Sequence, residues 1–229
     1  MTRTRLLVRA ALYVALGLGA VTMLVPFLWM LSTSLKQPNE VFSTGGGINW
    51  LPEHFVWRDT VIDGEKIRAW WGNYPDAWKE ISFLRLYLSS IFVAVVGTFG
   101  QVLTSSMAAY AFARLQFPGR DKLFFAYLAT MMIPGSVTMI PVFVIMKHLG
   151  WINTYQALII PGLFSAYGTF MLRQFFMGLP TELEDAAKID GSGYLGIWGR
   201  VILPLSKPAL ATLTTFTFMG FWGSYMWPL

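Results

Sequence analysis

Long apolar runs alternate with short polar connections along this chain, and run length decides what each becomes. A bilayer's hydrocarbon core takes about 20 largely apolar residues of helix. Five runs qualify: Ala10 to Thr33, Tyr87 to Ala113, Leu123 to Met146, Tyr155 to Met177 and Ala209 to Leu229. Pro134 and Pro141 interrupt the third and predict a kink. The first run follows Arg3, Arg5 and Arg9, but it is too long for a signal peptide and lacks a small-residue cleavage site, so it reads as an uncleaved anchor. The expected fold is an all-α polytopic membrane protein with about five transmembrane helices.

Charge in the short connections sets the orientation. Arg3, Arg5 and Arg9, then Arg114, Arg120 and Lys122 after the second run, point to the cytoplasm, whereas the 147–154 connection carries one lysine and faces out. The amino terminus is then inside, as is the connection at 178–207. The first external loop, 34–86, is long and nearly charge-balanced, and holds Trp50, Trp57, Trp70, Trp71 and Trp78. Those rings either form an interfacial belt with a local core, or stack on sugars or receive a solute-binding protein. Gly45-Gly46-Gly47 reads as a flexible bend.

The 178–207 connection has the most pattern. Thr181 and Glu184 have capping-box spacing, Leu183, Ala186, Ala187 and Asp190 share a helical face, and Gly191 stands where a left-handed stop is favoured. A second helix from Tyr194 to Leu203 is expected to end at Pro204, with Pro208 starting the last span. Asp185-Ala186-Ala187, Gly191, Val201 and Leu203-Pro204 resemble the coupling loop, or EAA motif, of permease subunits in binding-protein-dependent ABC importers. Asp and Val replace the usual Glu and Ile. Pro26-Phe27-Leu28-Trp29-Met30, Ser34-Leu35-Lys36, the Ala108 to Arg114 stretch and Ile133-Pro134 are similar to the smaller, maltose-type subunit of the carbohydrate branch. Members usually have six spans, so the chain, which stops at Trp227-Pro228-Leu229, is expected to be truncated or partial.

The resemblance implies two ATP-binding subunits, a second permease subunit, an extracytoplasmic solute-binding protein, a sugar substrate, and a multi-pass position in a bacterial or archaeal cytoplasmic membrane in contact with lipid. It also implies that Glu184, Asp185, Ala186, Ala187, Asp190, Gly191, Leu203 and Pro204 form the ATPase-coupling loop. Asp185 would pair with a partner's arginine or stay a solvated charge, and Asp190 would bond locally. No phosphate-loop pattern occurs, so no cofactor is expected on this chain and ATP would bind the partners.

Composition narrows the alternatives. Of 229 residues 55% are hydrophobic and 13% charged, about half the charge of a soluble domain. The net charge of +5 forms no aromatic-interleaved stripe, which argues against nucleic acid. There are no cysteines, and His54 and His148 have no metal-ligand spacing, so no catalytic or metal site is expected. Gln101, Tyr110, Ser165, Tyr167 and Thr215 are polar groups within the spans, available to line a path or to join helices. Arg173 is expected to snorkel to the cytoplasmic surface. A permease for another solute, an ATP-independent secondary carrier and a non-transporting scaffold are the remaining readings.

Overall fold

The computed structural model describes residues 3–37, 40–41, 49–62 and 64–227, and of residues 3–6, 65 and 80 the backbone alone. Contacts divide the chain into two units, Met1–Arg85 and Leu86–Leu229. In the first, α1 (Arg3–Ser34) is one long helix whose apolar side chains from Leu7 to Leu31 are exposed, as a lipid-facing span requires. The loop beyond it holds an unexpected hairpin, β1 (Thr60–Ile62) against β2 (Glu65–Ile67), antiparallel with Val61 opposite Lys66 and Gly64 at φ 86°. Trp70 lies edge-on to Trp57 at 5.5 Å and 6.3 Å from Phe55, and Trp71 Nε1 donates to the Trp57 carbonyl at 3.2 Å. These rings pack on one another at the surface of the loop, with Trp57 and Trp71 exposed, over the buried Ile67 and Ala69. A short helix, α2 (Asn73–Glu80), follows, and Gly45-Gly46-Gly47 lies outside the described residues.

The helix α3 (Phe83–Arg114) is the second long span. Its 32 residues extend about 48 Å, more than the hydrocarbon thickness. The third run is two helices, α4 (Arg120–Ala129) and α5 (Gly135–His148), bent by 99° at Pro134. Proline removes an N–H and drives the preceding residue out of the helical region, and Ile133 is extended at φ −89°, ψ 116°. Pro141 sits inside α5 without a break.

The expected fourth helix is also divided, into α6 (Tyr155–Ile159), a 3-10 turn through Pro161 and Gly162, and α7 (Ala166–Met177). The fifth, α10 (Lys207–Trp222), has Pro208 in its first turn and ends at Gly223, short of Leu229; Pro228 and Leu229 lie outside the described residues. The third and fourth expected spans are thus each interrupted within their length. By length and composition two helices among the described residues are span-length, or up to four if each bent pair counts as one. Apolar length was legible in the sequence; the breaks come from Pro134, Pro161 and Gly162.

The core of the second unit lies where α3, α7 and α10 meet the loop below them. Ala109, Tyr110, Leu172, Phe176, Ile197, Ile202 and Leu213 form one buried cluster. Gly168 permits the approach, since a Cβ there would stand 2.8 Å from Ser105 Oγ and 3.2 Å from Leu213 Cδ1. Gly168→Ala is expected to cost about 1–3 kcal/mol by overpacking and to lower the melting temperature in detergent. Gly193→Ala, with nothing within 4 Å, should leave it unchanged.

Candidate coupling loop and membrane cavity

Two turns of helix, α8 (Glu182–Ile189), follow α7 after a bend at Leu179 and Pro180. The capping box does not form: Thr181 has helical dihedrals and its side chain caps nothing. Glu184 turns inward instead, 5% exposed. There it meets Arg114 at the end of α3, Nε to Oε1 2.9 Å, an ion pair between two buried side chains rather than an aligned hydrogen bond. The same guanidinium donates through Nη2 to the carbonyls of Phe176 and Leu179, at 2.6 Å each. Carbonyls at the end of a helix lack partners within it and carry its partial negative charge, so a buried cation is satisfied there. A charged partner outcompetes a cap to neutral backbone. Arg114 thus ties together α3, the end of α7 and α8.

The other end of α8 follows expectation. Gly191 has φ 82°; its N–H donates to the Lys188 carbonyl and that of Ser192 to the Ala187 carbonyl, both at 2.9 Å. This is a Schellman stop, which requires a left-handed residue at that position.

The expected shared face divides. Ala187 is half-buried against the chain's own core, while Leu183, Ala186 and Asp190 are exposed together with Ile189. Asp190 makes no side-chain hydrogen bond among the described residues. Asp185 pairs locally with Lys188 at 2.9 Å, and as its hydrogen-bond acceptor raises the pKa of that lysine.

Pro204 does not end the second loop helix. The helix α9 (Tyr194–Ile197) passes into a π turn, Trp198–Ile202, and continues through Pro204 to Leu205, with Leu203 N–H reaching back to Trp198. The wider turn lies just before Pro204, where an ordinary α turn would set its ring against the carbonyl four residues back. Ile197 and Ile202 are buried, Leu203 is half-buried, and an 84° bend at Ser206 leads into α10. The whole 178–207 segment is therefore fastened at Arg114 and along Ile197 and Ile202.

Above it is a cavity of about 880 Å³ whose walls include Gln101 of α3, Thr138 of α5, Tyr167 of α7 and Thr217 and Phe221 of α10. Gln101 Nε2 donates to Thr217 Oγ1 at 3.2 Å. Three residues expected to line a path lie elsewhere. Tyr110 is in the core beside the loop, Ser165 caps α7 by accepting from Gly168 N–H at 3.0 Å, and Thr215 is exposed and donates to the Ala211 carbonyl of its own helix. The Ser165 and Thr215 hydroxyls are satisfied locally and Tyr110 is buried in the core at the loop, where periodicity alone suggests free polar groups. Arg173 lies 4.2 Å over the Phe124 ring, donates from Nε to the Phe112 carbonyl at 3.2 Å, and extends Nη2 to within 3.8 Å of the exposed Asp121 carboxylate in the connection after the second run.

Comparison with known proteins fits this geometry. Residues 100–229 match the family model described as binding-protein-dependent transport system inner membrane component. The chain belongs to that family. The match takes in the loop, the cavity-lining helices and Arg114, and makes the chain an inner-membrane component of a transport system. It is 31% identical over 93% of its length to the diacetylchitobiose uptake system permease protein of Streptomyces coelicolor, covering 65% of that protein. It is 34% identical over 94% of its length to the polygalacturonan/rhamnogalacturonan transport system permease protein of Bacillus subtilis, covering 69%. The chain thus spans about two thirds of the length of these curated relatives. A solved bacterial ABC transporter involved in import of the acidic polysaccharide alginate superposes with a TM-score of 0.80 at 26% identity, over 99% of this chain and 75% of that one.

Proposed function

We propose that the chain is a non-catalytic permease subunit of an ATP-driven carbohydrate importer, with its amino terminus in the cytoplasm and the 178–207 loop transmitting the motion of an ATPase. The partners in this reading are two ATP-binding subunits that hold the nucleotide, a second permease subunit and an extracytoplasmic solute-binding protein. The observation that carries it is the two-sidedness of α8: Glu184 and Ala187 fasten one face to the membrane bundle, and Leu183, Ala186 and Ile189 leave the other uncovered. Ile189 is 86% exposed beside Leu183 and Ala186, which leaves that side of the helix free to meet a partner. A helix fixed on one face and docked on the other moves as a rigid body, so displacement at its outer face reaches α3 and α7 without loss. Sugar as the solute rests on the relatives named for saccharide uptake.

The test is co-purification of the tagged full-length protein from its native membrane. An ATP-binding subunit is expected to accompany it, and to be lost from Ala186→Trp and Ile189→Arg variants that still insert. Recovery of that subunit with both variants would reject α8 as the docking element, and recovery of the wild-type chain alone would favour a carrier independent of ATP.

A further inference from the structure

We infer that Arg173 is a second positioning residue of the coupling mechanism, locking α4 to the ends of α3 and α7 so that the wall of the cavity supplied by α5 follows α8. The inference rests on the coupling role proposed for the 178–207 loop and carries it one helix pair further. Two arginines cross between the same helix ends. Arg114, closing α3, donates to the Phe176 carbonyl of α7, and Arg173, one turn before Phe176, donates from Nε to the Phe112 carbonyl of α3 at 3.2 Å. Phe112 lies in the last turn of α3, where carbonyls have no partner within the helix, so its oxygen is free to take the cation.

Arg173 adds what Arg114 does not, a grip on α4. Its guanidinium stands 4.2 Å over the ring of Phe124, a buried residue of α4, and its own side chain is 13% exposed. The ring is packed in turn against Phe112 at 5.3 Å and stacked with Phe170 of α7 at 6.5 Å. A cation over a ring face shielded from water outweighs an ion pair in solvent, which screening weakens. The ring and the carbonyl therefore carry the link, and Asp121, 3.8 Å from Nη2 and 61% exposed, adds little. Through α4 the grip reaches the cavity. The 3-10 turn Thr130–Met132 that follows α4 packs on α7 as α4 does, and beyond Pro134 the chain continues as α5, which brings Thr138, Met139 and Val142 to the cavity wall. Without Arg173, α8 stays fastened to α3 and α7 through Arg114, but α4 and α5 are free to lag behind it.

The test uses the full-length permease assembled with cysteine-free partner subunits, at rest and trapped with MgATP and vanadate. Spin labels at Phe125→Cys on α4 and Ile189→Cys on α8, both exposed, report whether those two helices move together. A second pair, Phe164→Cys with Ile189→Cys, reports on α7 and α8 alone. In the otherwise unaltered chain each pair is expected to give one narrow distance, the same at rest and on trapping. Arg173→Leu should broaden the first pair and leave the second narrow, a split that general loss of packing would not produce. Asp121→Asn should change neither. Arg173→Gln keeps a donor for the Phe112 carbonyl but no cation for the ring. It should broaden the first pair less, and it serves as the deciding variant if Arg173→Leu does not insert. A first pair as narrow in the Arg173 variants as in the parent, or broadening of both pairs alike, would overturn the inference and leave the importer reading intact. So would a first-pair distance that shifts on trapping in the parent. A complex that neither retains an ATP-binding subunit nor traps vanadate would overturn the importer reading itself.

Discussion

Arg114→Leu is expected to abolish solute-stimulated ATP turnover in the assembled transporter, because it releases the inner face of α8 and the end of α7 together. The substitution leaves Glu184 as a buried, unpaired carboxylate and strands the Phe176 and Leu179 carbonyls. Both partner side chains are nearly inaccessible, so solvent screening gives little relief, and breaking such a pair costs about 3–5 kcal/mol. Glu184→Gln should be milder, since Arg114 keeps its two carbonyls and gains an amide oxygen. The double variant Arg114→Leu with Glu184→Leu should melt above Arg114→Leu alone, because an apolar pair leaves no charge buried. Equal melting temperatures for Arg114→Leu and the double variant would show that Glu184 left without Arg114 carries no burial penalty.

The second large effect is expected at Gly191→Pro. Proline fixes φ near −65°, while this position has φ 82°, and it lacks the N–H that bonds the Lys188 carbonyl. The stop between α8 and α9 cannot form, so the docking helix loses its angle to the rest of the loop. A Cβ at Gly191 meets nothing within 4 Å, so Gly191→Ala incurs only the left-handed backbone cost, about 1 kcal/mol. Gly191→Asn should be milder still. Solute-stimulated hydrolysis by membrane-inserted complexes is expected to fall in the order Gly, Asn, Ala, Pro, with the last near the unstimulated rate. A proline variant that couples normally would show that the turn geometry is dispensable.

The sequence carried the elements whose cause is local. Gly191 was legible because one backbone conformation is at stake, and the spans were legible because apolar length alone marks them. Pro134 marked its bend for the same reason. The capping box failed because Thr181 and Glu184 have the right spacing but a stronger partner, Arg114, arrives from 70 residues earlier in the chain. A lone arginine closing an apolar span, with Glu184 and Ala187 on one helical face, was the available signal. Without the fold it could serve only as a topology charge. Pro204 misled in the opposite direction, since a π turn is a backbone adjustment that no side-chain pattern announces. The hydroxyls of Tyr110, Ser165 and Thr215 could not be assigned to the cavity or the packing from one helix at a time, because that choice depends on which neighbour each helix meets.

The claim on which the rest depends is that α8 moves with the membrane bundle as one body. The chain has no cysteines, so spin labels at Phe164→Cys, just before α7, and Ile189→Cys, at the end of α8, attach to it at those sites alone. Both positions are exposed. Electron–electron resonance would compare the distance between them in the resting and vanadate-trapped states of the assembled transporter. A single narrow distance, unchanged between the two states and broadened by Arg114→Leu, is the predicted result. A shift or broadening on trapping in the wild-type background, with ATP turnover still responsive to solute, would contradict the clamp.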